Sequence, residues 1–166
     1  IWSIASIMAK RTTTYLEWDK VVLLIKKLEK DENYKFMLLI SLGTFLGLRI
    51  SDILHLKWSD VLDKDHLTLK EGKTGKTRSF KINDDLKAII QIAHQHYQKD
   101  LNLMIFENRF GTGAISTQYI NRQLKSIFLL YGLKMRPSTH FMRKSFGRKV
   151  YSNNNESEHA LVLLMD

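Results

Sequence analysis

The sequence predicts a mainly α-helical domain with one small antiparallel β-sheet. Most periodic segments place apolar residues at helical spacing, whereas only His66–Lys70 and Arg78–Ile82 alternate in polarity as half-buried strands do. The chain of 166 residues, 44% of them hydrophobic, is long enough for a single core. It contains no cysteine, which excludes disulfides and thiolate metal sites. These observations favour one globular domain without covalent cross-links.

Two helices are predicted first. Glu17–Lys30 carries apolar residues on one face, with acids near its start and lysines near its end, as the helix macrodipole favours. Tyr34–Leu46 is mostly apolar, which predicts a buried helix, and Gly47 is expected to end it. The apolar stretch at residues 36–48 is too short to span a bilayer, so no membrane partner is expected.

A short helix and a hairpin follow. Ser51 or the residue before it is expected to cap a helix that runs through Leu56, which brings Arg49 and Asp52 close together near its start. Between the two predicted strands, the polar, glycine-bearing segment Glu71–Thr77 suits the tip of a hairpin.

Further helices are predicted beyond the hairpin. Asn83 or Asp84 is expected to cap a helix that runs to about Lys99. Residues 104–106 suit a brief strand or an extended link. Ile115–Tyr131 is predicted to be an amphipathic helix, because its apolar residues fall on one face.

The last part of the chain contains its only proline. Pro137 precedes Ser138 and Thr139, either of which suits the cap of a helix that runs to about Tyr151. Three consecutive asparagines from residue 153 then interrupt the pattern, and Glu156 is expected to start another helix.

The charge of the chain points to a polyanionic partner. Its formal net charge is +9 and its pI is about 9.7. Leu133–Lys149 holds six Lys or Arg residues and no carboxylate, and Leu67–Lys81 holds five cations against one carboxylate, Glu71. Glu17–Glu32, in contrast, mixes both signs. The basic stretches therefore predict a surface that binds nucleic acid.

Arg49 stands at the end of the most apolar run, where an unpaired guanidinium is costly to desolvate. Two interpretations are open. Arg49 is either a helix-end arginine paired with Asp52, or one of a set of cations that bind a phosphate through a planar fork. A longer motif, the Arg49 box, surrounds this residue. It comprises Gly47, Arg49, Ser51 and Asp52, then Leu54, Leu56 and Trp58-Ser59-Asp60. The resemblance of this motif to a known family favours the second interpretation.

Further cations fall at two other places. Lys73 lies at the hairpin tip in Gly72-Lys73-Thr74, with Lys76 as the competing candidate. A nucleotide-binding loop is excluded, because such a loop needs a glycine five positions before its Gly-Lys pair. His140 and Arg143 are three residues apart on a predicted helix, so they share one face. A histidine near a helix start is otherwise a cap or a packed residue.

In this order, these segments resemble the active-site boxes of the tyrosine recombinases, the phage integrase family. The resemblance implies that Arg49 contacts the scissile phosphate, that Asp52 helps to hold the site together, and that Lys73 protonates the departing 5′ oxygen. His140 and Arg143 resemble the second arginine box and imply charge stabilisation in the transition state. The neighbouring cations expected to bind DNA are Lys76, Arg78 and Lys144.

The resemblance also implies a reaction and its partners. A tyrosine attacks double-stranded DNA, a 3′-phosphotyrosine stores the bond energy, and a 5′ hydroxyl is freed, so neither a metal nor another cofactor is expected. The full-length protein is expected to self-associate on DNA. It is also expected to act in the cytoplasm of a bacterium, on the nucleoid, as an integrase of a mobile element.

The chain departs from the family at the nucleophile. The family's tyrosine lies roughly thirty residues beyond the second arginine, and only twenty-three residues follow Arg143 here. Tyr151 is the nearest candidate, but eight helical residues place it about 12 Å along the axis and rotated by about 80°. The expectation is a linker, remnant or added segment at residues 1–13 and a catalytic domain at residues 14–166 that stops before its tyrosine. Such a chain is expected to be inactive alone.

Two other functions compete with this one. The first is a non-catalytic DNA-binding module, such as a truncated recombinase that occupies sites. The second is a basic RNA-binding protein whose arginines contact a backbone by charge alone. An arbitrary binder does not need the Arg49 box in combination with the His140 and Arg143 pair.

Overall fold

The computed structural model describes residues 15–153. The expectations for residues 1–13 and for a helix from Glu156 lie outside this part. Its elements in chain order are α1 (Trp18–Lys30), α2 (Tyr34–Leu46), α3 (Ile50–Leu54), α4 (Trp58–Val61), β1 (His66–Lys70), β2 (Thr77–Lys81), α5 (Asp84–Tyr97), α6 (Thr117–Leu130) and α7 (His140–Asn153). The predicted fold class is confirmed: mainly α with a two-stranded antiparallel sheet.

Helix α2 is the centre of the core. It packs against α1, α5 and α7, and nearly all of its side chains are buried, as an apolar sequence without a polar face requires. Gly43 lets α7 come close, because a Cβ atom there would lie 2.7 Å from the Cβ atom of Met142. The helix that carries Arg143 is thus set against the centre of the domain.

The end of α2 directs the chain into the site. Gly47 adopts a left-handed conformation (φ 66°), which ends the helix at the predicted residue. A Cβ atom on Gly47 would also overlap the ring of Phe146 on α7. Glycine is therefore required here twice, once for the backbone and once for the contact with α7.

The predicted cap of α3 is wrong. Arg49, not Ser51 or Ile50, occupies the N-cap position in an extended conformation, and its carbonyl accepts hydrogen bonds from Asp52 and Ile53. Because Gly47 and the buried Leu48 turn the chain early, the helix starts at Ile50. It ends at Leu54 rather than Leu56.

The hairpin follows its predicted pattern. β1 and β2 are antiparallel, with His66 opposite Lys81 and Lys70 opposite Thr77. Leu67 on β1 is buried and anchors the hairpin to the domain. The tip, at residues 71–76, therefore projects from the end of β1.

Helices α5 and α6 each have a side-chain cap of a residue type that favours this position. Asn83 accepts a hydrogen bond from the backbone of Leu86 at the start of α5, and Ser116 accepts one from Tyr119 at the start of α6. No helix within residues 15–153 is both long enough and apolar enough to cross a membrane.

Candidate active site

Three arginines from separate elements line one pocket of about 230 Å³. Arg49 stands at the start of α3, Arg78 on β2 and Arg143 on α7. Two carboxylates, Asp52 and Glu71, line the same pocket. Its apolar wall consists of Leu46, Leu48, Phe80, Phe146 and Val150. A pocket with three guanidinium groups and two carboxylates attracts an anion.

Glu71 links two of these arginines. The residue follows β1 and is only 4% exposed. Its carboxylate forms ion pairs with Arg49 and with Arg78, whose Nε lies 2.9 Å from Oε1. In the sequence, Glu71 is noted only as the one acid of a basic stretch. Its position directly after a strand and beside the hairpin tip could have indicated that it contacts Arg49 or Arg78.

Asp52 ties the hairpin to α3. Its Oδ1 accepts a hydrogen bond from the backbone N–H of Gly72 at 3.2 Å. The Glu71 backbone closes the tip, because its N–H donates to Lys76 and its carbonyl accepts from Gly75. The base of the predicted loop is therefore held against the helix that begins after Arg49.

Burial and the neighbouring charged side chains both affect the pKa of Arg143. Burial lowers the pKa of this guanidinium, nearby Arg49 and Arg78 lower it further, and Glu71 opposes them. Arginine nevertheless stays protonated at physiological pH. Arg143 therefore lies close enough to Arg49, Arg78 and Glu71 to respond to their charges.

The structure does not bring every predicted residue into the pocket lining. Lys73 and Lys76 are exposed at the hairpin tip, and Lys73 does not line the pocket. His140 is the exposed first residue of α7, one turn before Arg143, and it does not line the pocket either. Lys144 is exposed beside Arg143. Arg78, predicted as a DNA-binding residue rather than a catalytic one, lines the pocket.

None of the six tyrosines, all within the described residues, lines the pocket. Helix α7 continues without a break through Asn153, so Tyr151 lies two turns beyond Arg143. The Tyr151 ring instead lies 5.9 Å from the guanidinium carbon of Arg148. Within residues 15–153 there is also no group of three or more His, Cys, Asp or Glu side chains placed to hold a metal.

Comparison with known proteins identifies relatives of this chain. The phage integrase family matches residues 14–161. The chain is 34% identical over 134 residues to the probable integrase/recombinase YoeC of Bacillus subtilis (strain 168). This match covers 80% of the chain and 71% of YoeC.

Solved structures share the fold. XerH site-specific recombinase bound to its difH substrate superposes with a TM-score of 0.65 at 23% identity, covering 93% of this chain and 46% of that one. The catalytic core of lambda integrase gives a TM-score of 0.63 at 21% identity, covering 91% of this chain and 90% of that one. The chain thus spans nearly all of a catalytic core but less than half of the XerH chain.

Proposed function

This chain belongs to the phage integrase family, and from that premise we propose that the protein performs site-specific DNA recombination through a 3′-phosphotyrosine intermediate. The observation that carries the proposal is the meeting of Arg49, Arg78 and Arg143 at one pocket, although they come from three separate elements. One phosphodiester fits such a set of donors, and the membership of the chain in the phage integrase family supports DNA as that substrate.

In this proposal the arginines stabilise the transition state. Arg49 and Arg143 contact the non-bridging oxygens of the scissile phosphate, where negative charge increases as the attacking oxygen adds to phosphorus. Guanidinium groups suit this task because each donates two parallel hydrogen bonds and none loses its proton. Asp52 supports them from α3 by holding Gly72.

Lys73 and His140 complete the proposed site. Lys73 protonates the 5′ oxygen as it leaves, and His140 donates a further hydrogen bond to the phosphate. Both side chains are exposed in the structure, and catalytic contacts often tighten only when substrate binds. We propose that Lys73 reaches the phosphate by movement of the hairpin tip beyond Gly72.

The nucleophile is proposed to lie outside the 166 residues. No tyrosine of residues 15–153 lines the arginine pocket, and the unbroken α7 holds Tyr151 away from Arg143. The chain alone is therefore expected not to cleave DNA, because arginines stabilise a transition state but do not replace the attacking oxygen.

Duplex DNA is the proposed partner. Residues 108–155 hold nine Lys or Arg residues and no carboxylate, which equals the net charge of the whole chain, +9. Lys76 and Lys144, exposed near the pocket, are proposed to contact neighbouring phosphates. Rejoining a strand to a new partner requires two cleavage sites, so we propose that the full-length protein self-associates on DNA. A bacterial chromosome lies in the cytoplasm, which is where we place this activity.

A covalent-adduct assay tests the proposal. The protein translated from the whole reading frame is incubated with a nicked suicide substrate beside the 166-residue chain. The longer protein should form a covalent protein-DNA adduct and the short chain none. In the longer protein, Arg143→Ala should lower adduct formation by about 100-fold to 1,000-fold. Lys144→Gln, one residue further along α7, should lower it by less than about tenfold, through affinity alone.

Two results of this assay would contradict the proposal. Adduct formation by the 166-residue chain would show that Tyr151 or another of its tyrosines is the nucleophile. A longer protein that binds DNA but forms no adduct would favour a non-catalytic protein that occupies DNA sites.

A further inference from the structure

We propose that Glu71 is a positioning residue that holds Arg49 and Arg78 at the same phosphate. This inference rests on the proposed function of the pocket. Arg49 and Arg78 belong to different elements, α3 and β2, whose backbones are not paired with each other. The carboxylate of Glu71 is the group that both guanidinium groups contact.

Both oxygens of the Glu71 carboxylate are engaged. Oε1 accepts the Nε–H of Arg78 at 2.9 Å. Oε2 accepts from Arg49 and, at 3.4 Å, from the hydroxyl of Thr74 in the hairpin tip. A buried carboxylate is stable only when it is paired and hydrogen-bonded in this way. Its orientation therefore fixes the orientation of both arginines.

The charge of Glu71 also lets the cations converge. Arg49 and Arg78 both lie close enough to Arg143 to lower the pKa of its guanidinium, and Glu71 acts in the opposite direction. Without this carboxylate, three guanidinium groups would repel one another across a pocket of about 230 Å³. They would be expected to turn outward into solvent.

Glu71 is a support for the arginines rather than a substitute for the phosphate. Its side chain is 5% exposed, against 16% for Arg49 and 38% for Arg78. The carboxylate is thus less exposed than the two arginine side chains, which leaves the arginines more accessible to an approaching phosphate. We therefore expect DNA to bind without displacing Glu71.

Measuring the affinity for duplex DNA distinguishes a positioning role of Glu71 from a simple effect of its charge. Glu71→Gln keeps the shape of the side chain but removes one negative charge, so the net charge of the protein rises by one. Asp65→Asn, the matched control, changes the net charge in the same way. Asp65 is paired with Lys87 at the other end of the hairpin and is 80% exposed. The 166-residue chain and its variants are titrated with a labelled duplex at one low salt concentration. Asp65→Asn should bind DNA as tightly as the unmodified chain or slightly more tightly.

We expect Glu71→Gln to weaken DNA binding about threefold to tenfold although it raises the net charge, because residues of one ion-pair network are energetically coupled. In a background that carries both Arg49→Ala and Arg78→Ala, the same substitution should change affinity by less than about twofold, because its effect passes through these two arginines. A general loss of structure would weaken binding equally in both backgrounds and would overturn the proposal. Tighter binding, as in the control, would overturn it too.

Glu71→Asp decides the question if Glu71→Gln does not fold. This substitution leaves the net charge unchanged and withdraws the carboxylate by one methylene. A positioning role predicts weaker DNA binding with an unchanged salt dependence, whereas affinity equal to that of the unmodified chain would overturn it. Absence of DNA binding by the unmodified chain is a different result, since it refutes the proposed function itself and removes the basis of this inference.

Discussion

The cations of residues 15–107 and those of residues 108–153 have different neighbours. In the first region, Arg49 at the start of α3 and Arg78 of the hairpin share one carboxylate, that of Glu71. The second region contains no carboxylate of its own, and several of its cations lie over aromatic rings. Lys149 lies 3.5 Å from the centre of the Trp18 ring, and Arg109 lies 4.6 Å from that of Phe110.

The two kinds of neighbour suit two different tasks in the DNA binding that we propose. Ion pairs fix the direction of a guanidinium, which a site for one phosphate requires. An aromatic ring supports a cation without cancelling its charge, so the second region keeps most of its positive potential, although Arg148 forms an ion pair with Glu17 of the first region at 3.5 Å. Arg143 belongs to the second region but lines the pocket of the first. The arginine pocket therefore lies where the paired arginines of the first region meet Arg143 of the second.

The largest expected effect comes from the contact that joins the two regions. Gly47→Ala places a methyl group in a left-handed conformation, at a cost of about 1–2 kcal/mol. It also forces the methyl against Phe146 of α7, which should cost about 1–3 kcal/mol more. Gly132→Ala is the matched control, because Gly132 has the same positive φ but nothing within 4 Å of its Cβ position.

Denaturant unfolding of the two variants measures this difference. Gly47→Ala should be clearly less stable than Gly132→Ala, and Gly47→Ala should also lose DNA affinity as α7 shifts. Equal destabilisation of both variants would show that the contact between Gly47 and Phe146 does not hold the regions together.

A smaller effect, on the salt dependence of DNA binding, should show that the cations of the two regions contribute differently. Lys134 and Arg136 are exposed in the acid-free region, and Lys26 and Lys30 are exposed on α1. Substituting both members of the first pair by Gln should reduce the slope of log K against log salt by about 1 to 2 for duplex DNA. The α1 pair removes the same charge and should leave the slope nearly unchanged. If both pairs change it equally, net charge rather than its distribution governs binding.

The smallest expected effect concerns a polar link between the regions. The hydroxyl of Tyr131, after α6, donates to the Asp31 carboxylate at 2.5 Å. Burial, followed by this hydrogen bond, raises the pKa of Tyr131 to about 12. The proton is thus held more tightly in the folded state, so the stability that it contributes is present below pH of about 10 and is lost as the pH rises to about 12.

Tyr131→Phe tests this link. At pH 8 the variant should be less stable than the unmodified protein by about 1 kcal/mol, the usual worth of one hydrogen bond. The difference should shrink as the pH is raised above 10, which thermal unfolding of both proteins at several pH values will show. A difference that stays constant with pH would contradict the assignment of the raised pKa to Tyr131.

The helices were predictable because their signals are local. The bounds of α2 agree with the prediction, since an apolar run ends at a glycine, and Asn83 caps α5 as its residue type indicates. The start of α3 was not predictable from residue preference alone. Ser51 is a better capping residue than Arg49, but the turn at Gly47 and the burial of Leu48 decide where the helix begins.

Of the residues that line the pocket, Arg49, Arg143 and Asp52 were predictable, whereas Glu71 was not. Arg49 and Arg143 follow from their motifs, and the pocket contains both. The pairing of Arg49 with Glu71 joins residues 22 positions apart and depends on how the hairpin lies against α3. No periodicity encodes such a contact. The same reason explains why Arg78 was predicted to bind DNA but not to line the pocket.

A structure of this chain bound to duplex DNA is the most direct test of the central claim, that Arg49, Arg78 and Arg143 form one phosphate site. We predict that a single backbone phosphate lies within hydrogen-bonding distance of Arg49, Arg78 and Arg143, with Glu71 still paired with Arg49 and Arg78. A duplex bound only through cations of residues 108–153, with no phosphate at the pocket, would contradict the claim.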